Sequence, residues 1–228
     1  MRHSKSIAVF LVIIISSTFG CIRPEDPVLD GDILAIGDSF LDYHAPDADI
    51  ASIVGASLGL DVDLLAFGGA TMLNEYSIAD TYVDREHTLL IVSGGGNDLE
   101  GCVCGESCEG VIDELISEDG AEGAIPDLVY RALGDGVYVV WVGYMRPMAD
   151  ADEYADCGGE LDVLRDRLQL LDGAEDDLIF VDGALIGTGI EGHLYDPDGY
   201  HPSPEGCVVL GEEVAQRVED AFGLSAIE

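Results

Sequence analysis

The sequence predicts a doubly wound α/β protein, a three-layer sandwich with helices on both faces of a five-stranded, mostly parallel sheet. Three observations predict it. Five short apolar runs are continuous rather than alternating, which suits strands buried on both faces. Helical patterns alternate with these runs through most of the chain, the arrangement that parallel strands require. The 228 residues, 48% hydrophobic and 24% charged, suffice for one domain with a sizeable core and do not have the composition of a disordered chain.

Taken in order, the chain opens with a basic stretch, MRHSK, followed by an apolar run at 7–19 and Gly20-Cys21. This is the layout of a secretory signal, and its 13 apolar residues fall short of the ~20 that span a membrane. Cysteine after a small residue resembles the lipobox of bacterial lipoproteins. That resemblance implies a signal peptide at 1–20, Cys21 as the lipidation site, and a protein held at the cell envelope by its lipid alone. Phe19 departs from the small residue usual before the glycine, so plain secretion stands as the alternative. Residues 21–31 carry two prolines and no periodicity and read as a tether; the domain is expected to occupy 32–228.

Strands are expected at 33–37, 61–67, 88–93, 137–143 and 178–182, and helices near 47–59, 72–83, 109–133 (as one piece or two), 160–171 and 204–222. The last helix is the best defined. Ser203 caps it, Pro204 suits its first turn, and Cys207, Leu210, Val214, Val218 and Ala221 recur on one face.

Charge and cysteines bound the function. There are 46 acidic residues against 9 basic ones, a formal net charge of -37, and loss of Arg2 and Lys5 with the signal makes it -39. Such a surface repels phosphate backbones, which excludes nucleic acid as a partner. The acids are scattered, as in a solvated shell. Cys102, Cys104, Cys108 and Cys157 are disulfide candidates in an exported chain, with three pairings open, while Cys207 falls on the apolar stripe of the last helix as a buried thiol. No metal is expected: the cysteines lack paired CxxC spacing, and the calcium-like DPDG run has Cys207 where a glutamate would be needed. No cofactor is implied either.

In doubly wound sheets, ligands bind beyond the carboxyl ends of the strands. There the sequence places GDSF after strand one, GGAT after strand two, GGGND after strand three, and YDPDGYHPSPEG some way after strand five. A serine hydroxyl is a weak nucleophile until a base takes its proton, and that base is usually a histidine steadied by a carboxylate. Among the histidines after the signal, His87 precedes its strand, and neither His44 nor His193 has an acid at an obvious orienting distance. His201 has Asp198 three residues upstream in a turn. Ser39, His201 and Asp198 therefore form the candidate catalytic set. The candidate oxyanion donors are the backbone N–H of Ser39, that of Gly69 (Gly68 being the one-residue alternative) and the side-chain amide of Asn97.

These four blocks resemble the SGNH hydrolases, the GDSL-type lipase/esterase superfamily. GDSF matches the first block, with phenylalanine where leucine is common; FGGAT resembles the second, and GGND and DGYH match the third and fifth. The resemblance runs from 37 to 201 in the right order and implies a flavodoxin-like fold. It further implies hydrolysis of a carboxylic ester through an acyl-serine intermediate, on a small-molecule, glycan or lipid substrate. Acyl transfer on the same scaffold and a non-catalytic envelope lipoprotein are the alternatives. The cysteine-rich insertion after Asn97 is expected to line the rim of the site. Tyr144 and Arg146, after strand four, are expected to form the opposite substrate wall. Each feature has a plainer explanation alone: Ser39 as a helix cap, the glycines as tight turns, Asp198-Gly199 as an ordinary turn. Their succession after consecutive strands favours catalysis.

Overall fold

The computed structural model describes residues 29–83 and 86–226. The expected signal, Cys21 and the first part of the tether lie outside the described residues. Five strands, β1 (Ile33–Ile36), β2 (Val62–Leu64), β3 (Leu89–Val92), β4 (Tyr138–Val142) and β5 (Leu178–Val181), form one sheet in the order β2-β1-β3-β4-β5. Every neighbouring pair is parallel, so the sheet is wholly rather than mostly parallel. Seven α-helices are described: α1 (Ser39–Asp42), α2 (Ile50–Leu58), α3 (Ile78–Thr81), α4 (Glu109–Leu115), α5 (Ala124–Gly134), α6 (Gly158–Asp172) and α7 (Pro204–Phe222).

Successive strand residues point to opposite faces, and each face has its own core. Ile33, Ala35, Leu89, Ile91, Val140, Val142, Ile179 and Val181 pack with α2 and α7. Leu34, Ile36, Leu90, Val92, Val139, Trp141, Leu178 and Phe180 pack with α3, α5 and α6. Burial on both faces explains why the runs are continuously apolar. Among the described residues no helix is long and apolar enough to cross a membrane.

Two expected elements are shorter than the sequence suggested. β2 keeps three of the seven residues assigned to it, because it lies at the sheet edge and its residues are only half-buried. The helix expected at 72–83 shrinks to α3, because the N–H groups of Met72 and Leu73 donate to the Asp98 carboxylate instead of entering a helical ladder. The stretch 109–133 is two helices, α4 and α5. α7 has the expected bounds, with Ser203 Oγ accepting from Gly206 N–H at 3.1 Å, although Ala221 is exposed rather than part of the buried face.

The cysteines pair as Cys102–Cys108 and Cys104–Cys157, and Cys207 is a buried free thiol whose pKa is pushed up to about 12 by burial. The first bridge closes a local loop; the second spans 53 residues and ties the segment after Asn97 to the start of α6. Loop-closure entropy then assigns about 4 kcal/mol to the long bridge and about 2 kcal/mol to the short one. Denaturant titration of Cys104→Ser/Cys157→Ser and Cys102→Ser/Cys108→Ser should give losses in that order. A larger loss from opening the short bridge would contradict the assignment.

Candidate active site

The strand order reverses between β1 and β3, and the loops leaving these strands meet at the crevice where such sheets bind ligands. Asp38 ends the β1 loop and caps α1 by accepting from Phe40 N–H at 3.0 Å, so Ser39 occupies the first helical position. Its hydroxyl meets His201 Nε2 at 2.8 Å, and His201 Nδ1 lies 2.8 Å from Asp198 Oδ2. The other Asp198 oxygen accepts from the backbone N–H groups of Tyr200 and His201, at 3.1 and 3.0 Å. Burial alone would raise the Asp198 pKa; the hydrogen bonds from the His201 ring and from these two amides outweigh it and hold the carboxyl below its ordinary value. The result is a carboxylate fixed on one ring nitrogen and a hydroxyl on the other.

Two tyrosines add to this relay. Tyr43 stacks on the imidazole, with ring centroids 4.0 Å apart and planes 6° from parallel, and its hydroxyl reaches Asp198 Oδ2 at 3.3 Å. Tyr200 tilts against the imidazole with centroids 4.3 Å apart. His44 does have an acid partner after all: its Nε2 lies 3.3 Å from Asp196, which sequence distance had concealed. His87 pairs with Asp63 at 2.9 Å, before the start of β3 and away from the crevice.

The loop after β2 supplies a glycine turn. Ala70 N–H donates to Phe67 C=O across Gly68 and Gly69, and Gly69 has φ +77°, a left-handed conformation that suits glycine. The turn lies beside the nucleophile, since a Cβ built on Gly68 would stand 3.8 Å from that of Ser39. Among the described residues, neither the Gly69 N–H nor the Ser39 N–H has a hydrogen-bond partner. Gly69 is exposed and is not part of the pocket lining. Asn97 follows β3. Its Nδ2 donates to Ala70 C=O at 2.8 Å, and its Oδ1 accepts from Tyr154 at 3.0 Å, which leaves one amide hydrogen uncommitted. Asp98, next in the chain, holds the same β2 loop through Met72 and Leu73, so the two loops are fastened together.

Ser39, His201 and Asn97 open onto a pocket of about 40 Å³ lined also by Phe40, Tyr144, Met145, Pro147, Tyr154, Leu161 and Tyr200. Tyr144 is part of this lining. Its hydroxyl donates to Asp38 Oδ2 at 2.5 Å and accepts from Gly96 N–H at 2.9 Å, joining the β1 and β3 loops. This approach needs glycine at 96, where a Cβ would come within 2.9 Å of the Tyr144 ring. Arg146 lies outside the pocket, with its guanidinium bonded to Asp162. The disulfide-bonded insertion does not line the pocket either; Cys102, Val103 and Cys104 line a separate open cleft that shares Tyr154 with it. Arg146 is held away by Asp162, and Pro147 and Tyr154 of the β4 loop take the lining places expected of the insertion. Asp38, Tyr43, Asp98 and Tyr154 escaped sequence reasoning. Asp38 and Asp98 stood in plain view inside GDS and GGND, while the tyrosines carried no signal.

No protein-family profile matches the sequence, and no curated protein matches it. Solved structures do. A protein from Slackia heliotrinireducens assigned as an SGNH hydrolase is 17% identical, with a TM-score of 0.57, covering 81% of this chain and 96% of the other. A carbohydrate acetylesterase family member from Sinorhizobium meliloti is 17% identical, with a TM-score of 0.56 and coverage of 84% and 99%. A family two carbohydrate esterase from Clostridium thermocellum, solved with cellohexaose, is 14% identical, with a TM-score of 0.58, covering 84% of this chain and 64% of that one. The likeness is one of fold: the chain has the α/β architecture of the SGNH hydrolases.

Asp38 titrates at about 6 rather than the ordinary 3.8, because burial disfavours its charge more than the Tyr144 and Phe40 hydrogen bonds favour it. The folded state thus holds this proton more tightly than the unfolded chain. The stability it contributes is full below about pH 4 and is lost as pH rises through 6, a swing on the order of 3 kcal/mol. The stability difference between the wild type and Asp38→Asn, measured by urea titration, should fall by roughly that amount between pH 4 and 7. A difference that stays flat would contradict the burial argument.

Proposed function

We propose that the protein is a serine esterase that hydrolyses a short-chain carboxylic ester through an acyl-serine intermediate. The observation that carries the proposal is the continuous contact from Asp198 through His201 to Ser39, two hydrogen bonds of 2.8 Å each. In this reading His201 Nε2 takes the Ser39 proton as Oγ attacks the ester carbonyl, and Asp198 stabilises the imidazolium. The tetrahedral oxyanion is received by the N–H groups of Ser39 and Gly69 and by the free amide hydrogen of Asn97. His201 then protonates the departing alcohol, a water molecule repeats the attack on the acyl-serine, and the acid leaves.

The size of the pocket supports a short acyl group. At about 40 Å³ it admits an acetyl-sized group beside the Phe40 and Tyr144 rings. Its outer edge carries Tyr154 and Tyr200 in edge-to-face contact at 5.2 Å, amphipathic surfaces suited to a sugar ring, and the neighbours above include carbohydrate esterases. A glycan acetyl ester is therefore the favoured substrate class, with a small lipid ester second. The reading includes export, with Cys21 as a lipid anchor and no other membrane contact; two disulfides are consistent with an oxidising compartment.

The test is turnover of p-nitrophenyl esters together with fluorophosphonate labelling. Ser39→Ala should abolish labelling and lower kcat on p-nitrophenyl acetate by at least about 10⁴-fold. The octanoate should be at least about tenfold poorer in kcat/KM than the acetate. Labelling that persists without Ser39 would remove the nucleophile, and equal rates on both esters would remove the short-acyl assignment. For the anchor, metabolic labelling with radioactive palmitate should be lost in Cys21→Ser; retained label would contradict lipidation there.

A further inference from the structure

The β4 loop makes contacts that the reaction as described does not use. On one side its backbone is bound to the turn that carries the acid and base: Met148 N–H donates to Gly199 C=O at 2.8 Å, and Asp152 N–H to Asp198 C=O at 3.0 Å. On the other side Cys157 is joined to Cys104, seven residues beyond Asn97. Between these fastenings stands Tyr154, with φ +59°, a backbone conformation that a tyrosine keeps only when its surroundings impose it. Its hydroxyl lies 3.0 Å from Asn97 Oδ1 and 3.1 Å from Glu100 Oε1.

The proton positions in this group follow from elimination. Ala70 C=O can only accept, so the Asn97 atom facing it at 2.8 Å is Nδ2. The atom facing Tyr154 is then Oδ1, which can also only accept, and the tyrosine must donate to it. Glu100 is exposed and can turn to water instead. A hydrogen bond accepted at Oδ1 both prevents the amide from rotating end for end and polarises its N–H bonds.

We propose that Tyr154 is a positioning residue of the oxyanion site: strapped by the Cys104–Cys157 bridge, it holds the Asn97 amide with nitrogen, not oxygen, available to the tetrahedral intermediate. The inference rests on the esterase reading for its catalytic consequence but not for its geometry. It gives the long disulfide a role at the site without placing either cysteine in the pocket. Without the hydroxyl, Oδ1 loses its donor, the N–H bonds are less polarised towards the oxyanion, and the Ala70 C=O contact alone opposes the rotated state, in which the amide oxygen would repel the developing negative charge.

The experiment compares wild type, Tyr154→Phe, Asn97→Ala and the double variant on p-nitrophenyl acetate, with Ser39→Ala as control. Tyr154→Phe should lower kcat more than fivefold with KM within twofold, and the double variant should be no slower than Asn97→Ala alone. A loss of fivefold or less, or losses that multiply in the double variant, would overturn the proposal. The side-chain amide signals of Asn97, read by NMR, should shift between wild type and Tyr154→Phe, and unchanged signals would also overturn it. Turnover unaffected by Ser39→Ala would instead contradict the esterase reading and leave the NMR comparison to decide the positioning role.

Discussion

The contact between His201 and Ser39 joins residues 162 positions apart, and the construction of the crevice follows from it. A histidine can reach the end of β1 only if the chain, after leaving β5, returns over the carboxyl edge of the sheet before entering α7. The return is fixed on both sides. Tyr195 and Pro202 form an isolated antiparallel bridge, Ser203 N–H donates to Leu194 C=O at 2.8 Å, and α7 is packed against α2 beneath. Asp198 is thereby set by local turn geometry, and the imidazole is set by Asp198 on one nitrogen and by Tyr43 on its face.

Two aspartates in the same crevice have opposite tendencies for an identifiable reason. Asp198 is partly exposed and accepts hydrogen bonds from the His201 ring and two backbone amides, so its charged form is favoured. Asp38 is buried beneath the site and titrates near 6 because burial prevails over its hydrogen bonds. The first carboxylate serves the base. The second, through Tyr144, fastens the loops that follow β1 and β3 beside the pocket.

How much of this was legible depended on the range of each interaction. The strands were readable because burial on both faces leaves an unbroken apolar run, and β2, the strand without such burial, was overextended. α7 was readable because Ser203 and Pro204 act on adjacent backbone groups at its start and its apolar stripe marks its length, while Gly223 in the left-handed conformation closes it. Asp198 and His201 were readable as a pair three residues apart, and their juxtaposition with Ser39 followed from the rule that such sheets gather their functional loops at one edge. The α3 region misled because its amides are claimed by Asp98, from another loop. Cysteine pairing, the diversion of Arg146 to Asp162 and the place of Tyr154 beside Asn97 depend on how long loops cross one another, which no local pattern encodes.

The most direct test of the central claim is a crystal structure of the protein after reaction with a small alkyl phosphonate ester, whose tetrahedral phosphorus mimics the intermediate. Phosphorus should be bonded to Ser39 Oγ, with one phosphoryl oxygen within about 3 Å of the Ser39 and Gly69 N–H groups and Asn97 Nδ2. His201 should remain against Asp198. An adduct on another residue, or a phosphoryl oxygen turned away from all three donors, would contradict the central claim.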